Sequence, residues 1–187
     1  MYEHEKGIQA RYLEYIKKFT NTKTGIYTRR GLITFKKSAL FHDQVNMMIP
    51  EGFHQTEIRQ IRHPFDSEPP QRIDISNYDD SIHFTCYLID NTPDNLSVEE
   101  AISEFGLMLK CLNPASICPE TGSGTGEQLP YAWIEFIKSS HNKERYHMLS
   151  AVPVGGQLLL VLFVCPAEEQ TEWKSCLAEI RTGITLQ

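Results

Sequence analysis

With 187 residues, 41% hydrophobic and 22% charged, the chain has the balance of a folded domain large enough to bury its own core, which excludes a disordered chain. Its net charge of −6 divides unevenly: residues 1–40 carry +6 and residues 41–187 carry −12, an acidic body that argues against nucleic-acid binding. No stretch reaches the roughly 20 apolar residues of a membrane helix, so no membrane insertion is expected.

Residues 7–19 place Ile8, Tyr12, Tyr15, Ile16 and Phe19 on one stripe of a helix, and residues 1–30 are expected to form a helical extension ahead of one domain, residues 31–187. The basic residues of the first segment, Lys17, Lys18, Arg29 and Arg30 among them, either meet an acidic partner or lie against the protein's own acidic body. Residues 32–35 and 39–49 read as strands, the second with Val45, Met47 and Ile49 on one face, closed by the turn Pro50-Glu51-Gly52. A looser strand covers residues 53–61. Residues 72–76 and 81–90 flank Asn77-Tyr78-Asp79-Asp80 as a hairpin, with Ile82, Phe84, Cys86 and Leu88 on one face and His83, Thr85, Tyr87 and Ile89 on the other.

Ser97 and Glu100 form a capping box before the stripe Val98, Ala101, Ile102, Phe105, Leu109 and Leu112, and Asn113-Pro114 ends that helix. Residues 114–130, with Gly122, Gly124 and Gly126, read as a long loop. Three strands follow, at residues 131–139, 145–153 and 157–165. Gly155-Gly156 suits a two-residue primed turn, which sets Val154 against Gln157 and aligns Tyr146, Met148, Ser150 and Val152 with Leu159, Val161, Phe163 and Cys165. Residues 158–165 are apolar without a break. A strand with one wet face alternates, so this one is expected at the centre of a sheet covered on both faces. Residues 168–181, with Trp173, Cys176, Leu177 and Ile180 and carboxylates at the start, and residues 97–112 are the main candidates for the two covers, with residues 7–19 a third candidate.

The five cysteines show no Cys-x-x-Cys spacing, and four lie in apolar segments, so reduced thiols and a cytoplasmic setting are expected. Met1–Lys6 shows no basic segment leading into an apolar one, so no secretory signal is expected there, although a trimmed one would leave no trace. The order of elements, the segment Met47-Met48-Ile49-Pro50-Glu51-Gly52-Phe53, the meander ending in Leu158–Val164, the acidic helix start and Trp173 together resemble the PsbP-like and DcrB-like proteins over residues 32–184. The resemblance implies an α+β fold: an α/β/α sandwich around a mostly antiparallel sheet of six to eight strands. Members include the extrinsic subunit of photosystem II, a nuclear Ran-release factor and bacterial DcrB-like proteins, some of which act as chaperones for secreted effectors. Binding to other proteins without catalysis is what this implies; no position-by-position set of functional residues carries over.

The residues themselves give few chemical leads. The glycine run 122–126 lacks the following helix and the lysine of a phosphate loop, no Gly-x-Ser-x-Gly elbow is present, and neither Asp79-Asp80 nor Glu168-Glu169 has the opposed environments of an acid–base pair. No cofactor or metal is expected. The candidate binding residues are Tyr131, Trp133 and Glu135 on one strand, where an aromatic face can border a groove for a partner, together with His83 and His147 on neighbouring strands. The leading expectation is a non-enzymatic protein-binding, adaptor or chaperone-like module. The alternative is a small-ligand-binding or enzymatic domain with His83, His147 or Glu135 at the mouth of a pocket between sheet and helix.

Overall fold

The computed structural model describes residues 21–58, 70–90, 97–112, 120–140 and 143–187. The alternating segments become β1 (Ile26–Thr28), β2 (Gly31–Ile33), β3 (Phe35–Leu40), β4 (Val45–Pro50), β5 (His54–Ile58), β6 (Gln71–Ser76) and β7 (His83–Ile89). The capped helix follows as α1 (Val98–Leu112), then β8 (Glu120–Thr125), β9 (Pro130–Ser140), β10 (Lys143–Val154) and β11 (Gln157–Pro166). A 3-10 turn (Ala167–Glu169) leads into α2 (Gln170–Thr182), and β12 (Thr185–Leu186) closes the chain. The expected helix of residues 7–19 lies outside the described residues.

Seven strands form the main sheet in the order β5-β6-β7-β11-β10-β9-β8, every neighbour antiparallel, with β11 in the middle as its apolar run requires. This is the α+β, PsbP-like architecture. Gly155 and Gly156 take φ of 56° and 83°, the left-handed pair of a primed turn, and Val154 pairs with Gln157. The Ser97–Glu100 box forms reciprocally: Ser97 N–H donates to Glu100 Oε2 (2.9 Å) and Glu100 N–H to Ser97 Oγ (3.1 Å).

The two faces of the sheet are covered differently. On one, α2 and the small sheet β12-β4-β3 enclose the main core, where Phe163 meets Phe84 (4.9 Å between centroids) and Trp173 (5.1 Å). On the other, α1 packs over β8, β9 and β10 with Val98 and Ile102 against Ala132, Ile134, Leu149 and Ala151.

Two expectations require correction. Residues 39–49 are not one strand, because Phe41, His42 and Asp43 turn the chain with φ of 54°, 54° and 68°, making the β3–β4 hairpin. No glycine or proline marks this turn; Phe41 is buried in the core and anchors it. Nor is the run from 114 to 130 wholly loop, since Glu120–Thr125 pairs with β9 along its whole length. Gly122 and Gly124 sit opposite Trp133 and Tyr131, and a Cβ at either would stand 2.7 Å from the facing ring or its hydroxyl. The glycines make room for aromatic rings across the ladder, so their role is cross-strand packing.

The first segment is described from Asn21 onward. Ile26 is fully buried in the main core, and Thr22 donates from its N–H (2.8 Å) and its hydroxyl (3.0 Å) to Glu179 of α2. Arg29 pairs with Glu172 (3.1 Å), while Arg30 pairs with Glu169 (2.9 Å) and Asp79 (3.1 Å). These two arginines therefore lie against the protein's own acidic body. Lys17 and Lys18 are outside the described residues.

Candidate functional site

Strand alternation divides the five candidate residues between the two faces. Glu135 pairs across the ladder with Met148 and Trp133 with Ser150, which puts Tyr131, Trp133 and Glu135 on the α2 face. His147 is one residue out of step and lies on the α1 face. His83 and His147 both pair with Val164, from opposite sides, so they share that face with one strand between them, roughly 10 Å apart at the backbone.

On the α2 face the three β9 side chains are brought together beneath α2, Glu135 buried and Tyr131 and Trp133 half-buried. Arg181 of α2 lays its guanidinium 4.7 Å over the Trp133 ring and 5.6 Å over Tyr131, a cation–π stack, and reaches Met148 Sδ at 3.2 Å. Glu135 is only 8% exposed, and Lys174 of α2 holds its Oε2 at 2.7 Å. Glu120 stands directly opposite Glu135 on β8, and Lys174 also reaches it at 3.6 Å, bridging two like charges that would otherwise repel. The two carboxylates hold the Lys174 ammonium above its ordinary range, the hydrogen bond it donates to Glu135 foremost. Buried Tyr146 has its phenol pushed up by burial and by the Glu135 charge. The chain's own helix lies over the aromatic face through Arg181, and Tyr131 and Trp133 stay half-buried.

On the α1 face, the His147 ring stacks on Phe136 (4.8 Å, 7° between planes), and burial pushes its pKa down to about 4, helped by the charges of Lys138, His83 and Arg145. Burial lowers His83 as well. His83, His147 and Glu135 thus do not meet at one pocket mouth, because Glu135 is on the far side of the sheet. His54 and Asp80, both exposed, gather at Ser76: Ser76 Oγ donates to Asp80 Oδ1 (2.6 Å) and stands 2.9 Å from His54 Nε2. Among the described residues, no three His, Cys, Asp or Glu side chains converge in a way that could hold a metal ion.

The region that residue patterns did not single out lies between α1 and β8. Here the helix leaves a groove of about 360 Å³, lined by Ile102, Gly106, Leu107, Thr121, Ser123 and Ile134. Gly106 lets the helix sit close to the sheet, since a Cβ there would meet Ile134 Cδ1 at 3.1 Å. Glu99 and Lys110 also line it, toward opposite ends of the helix segment. Along the outer side of α1, Leu107 (61% exposed), Met108 (48%) and Leu112 (75%) face outward, beside the exposed Cys111. Leu112 was expected on the buried stripe, which instead ends at Leu109. The sequence signal was available: Leu107, Met108 and Cys111 are apolar positions that the Val98–Leu109 stripe does not use.

No protein-family model and no curated protein sequence matches the chain. Among solved structures it is similar to the cyanobacterial PsbP protein CyanoP from Synechocystis (TM-score 0.60, 11% identity), over 87% of this chain and 95% of that one. It also matches a protein of unknown function from Pseudomonas aeruginosa (TM-score 0.48, 6% identity, 82% of this chain and 97% of that one). A third match is LpqN of Mycobacterium tuberculosis, described as involved in cell-envelope biogenesis (TM-score 0.42, 14% identity, 86% of this chain and 95% of that one). The protein has a PsbP-like fold. No helix among the described residues is long and apolar enough to cross a membrane.

Proposed function

We propose that this protein is a non-enzymatic binding module for another protein, of adaptor or chaperone-like type, and that it engages its partner along the α1–β8 side. The observation that carries the reading is the surface formed by the groove and the outward-facing Leu107, Met108 and Leu112. Large side chains exposed together beside a concavity, with charges at its rim, are the usual composition of a protein contact. The aromatic surface on β9 is given a different role, since Arg181 already occupies it. The free, buried Cys86, Cys165 and Cys176, the first two with thiols pushed up to about 12 by burial, suit a reducing compartment, and a cytoplasmic setting belongs to this reading.

The test is purification of the full chain from its own cells under mild salt, with wild type compared to a Leu107→Asp, Leu112→Asp variant. A defined partner that co-purifies with wild type and is lost from the variant, at unchanged thermal stability, supports the proposal. Retention of the partner by the variant, or turnover in a substrate screen abolished by His83→Ala or His147→Ala, overturns it.

A further inference from the structure

We infer that the occupant of the α1–β8 groove is an extended peptide segment, added to the main sheet as a strand beyond β8. This rests on the protein-binding reading and specifies the partner's conformation and charge. Among the described residues, β8 is one of the two edges of the main sheet. Natural edge strands are blunted by lysine, proline or bulges, because their outward N–H and C=O groups otherwise accept another chain. β8 reads Glu-Thr-Gly-Ser-Gly-Thr, contains neither lysine nor proline, and pairs with β9 residue for residue from Glu120 to Thr125 without a bulge. Its one charge, Glu120, is tied to Lys174 on the α2 face.

The groove supplies selectivity on the other face. Thr121 and Ser123 of β8 and Ile134 of β9 form its floor, and Ile102, Gly106 and Leu107 its wall, so an apolar side chain from a neighbouring strand finds hydrocarbon there. Glu99 and Lys110 are eleven residues apart on α1, about 16 Å at 1.5 Å per residue, the length of about five residues of strand. Neither is ion-paired among the described residues. A segment with apolar residues at alternate positions and opposite charges at its two ends satisfies the edge, the groove and both charges together, as strand addition does elsewhere.

The experiment titrates the full chain with two dye-labelled, capped peptides, Lys-Thr-Val-Thr-Leu-Thr-Glu and the charge-reversed Glu-Thr-Val-Thr-Leu-Thr-Lys, followed by fluorescence anisotropy. One charge order binds roughly tenfold more tightly than the other, and the Glu99→Lys, Lys110→Glu variant inverts the preference. Both charges are on the protein surface, so that variant folds. N-methylation of the peptide acts without touching the protein. Methylating the threonine amides or the valine and leucine amides blocks one edge of the peptide strand or the other, so one set abolishes binding and the other leaves it unchanged.

No binding of either peptide up to millimolar concentration, or equal binding of parent and both methylated sets, overturns the inference. So does a concentration-dependent dimer in sedimentation velocity that both peptides fail to dissociate, which would make a second copy the occupant. If a partner is lost on changing Leu107 and Leu112 while methylation has no effect, the protein-binding reading stands and the added strand does not.

Discussion

The two faces of β11 have nearly the same composition and opposite fates. On the α2 face Leu159, Val161, Phe163 and Cys165 are at most 3% exposed, locked among Phe84, Tyr146 and Trp173. On the α1 face Leu158, Leu160 and Leu162 are only half-buried, against a much smaller cluster, and of that face of β11 Val164 alone, between His83 and His147, is buried. An unbroken apolar run therefore reports that both faces are shielded from bulk water, and says nothing about how deeply. The α2 face is the protein's core. The α1 face is a satellite whose outer rim stays open, and the candidate binding surface lies there.

Adjacent substitutions on β11 separate the two faces. Val161→Asp buries a carboxylate with no partner in the main core, a cost of several kcal/mol that consumes most of the stability of a domain this size; circular dichroism should show an unfolded chain. Leu160→Asp, one residue away and facing α1, should give a folded protein destabilised by about 1–3 kcal/mol. Similar losses at both positions would mean that the faces are equally buried. The same contrast holds for aromatics above the sheet. Trp173→Ala removes a fully buried ring and should cost about 3–5 kcal/mol in urea unfolding, whereas Phe105→Ala, half-buried on α1, should cost about 1–2 kcal/mol.

Local rules made much of this legible. Gly155-Gly156 and the alternation around it gave the β10–β11 register residue by residue, and the capping box located the start of α1. What stayed hidden depended on contacts distant in sequence. The β3–β4 reversal is held by a buried phenylalanine in a left-handed conformation, which no glycine or proline announces. β8 looked like loop because its glycines gain meaning only opposite Trp133 and Tyr131. At the candidate site, alternation along β9 correctly grouped Tyr131, Trp133 and Glu135. Their cover, Arg181 and Lys174, comes from a helix about 40 to 50 residues further on, and the offset that parts Glu135 from His147 is set by the β9–β10 register.

Acid should also weaken the α1 face through His147. An ordinary histidine takes its proton near 6.5, but in the folded protein His147 does so only at about 4, because burial against Phe136 disfavours the charge. The unfolded chain therefore binds the proton first. The His147 contribution to native stability is complete above pH 6.5, is lost as pH falls from 6.5 to about 4, and changes no further below. At 1.36 kcal/mol per pH unit over about 2.5 units, the full loss reaches about 3 kcal/mol. Urea midpoints of wild type and His147→Gln, each measured at pH 7 and pH 4.5, isolate this contribution from the carboxylates. Wild type should lose about 2 kcal/mol more than the variant; equal losses would mean that the imidazole is already solvated.

The smallest expected effect is at the rim of the same face. Leu107→Lys and Leu112→Lys replace side chains 61% and 75% exposed, and lysine matches leucine in helix propensity, so neither packing nor backbone preference opposes the change. The charge at Leu112 also lies in the last turn, where a cation favours the negative end of the helix dipole. Each variant should stay within about 0.5 kcal/mol of wild type in urea unfolding. A loss above about 1 kcal/mol would show that these leucines are packed in the folded chain, leaving no apolar rim to offer a partner. Near-neutral stability would mean instead that folding does not account for this patch. Phe105 and Leu112 are both apolar residues of α1, and a measurable cost at the first without one at the second would separate the part of the helix that holds the fold from the part free to bind.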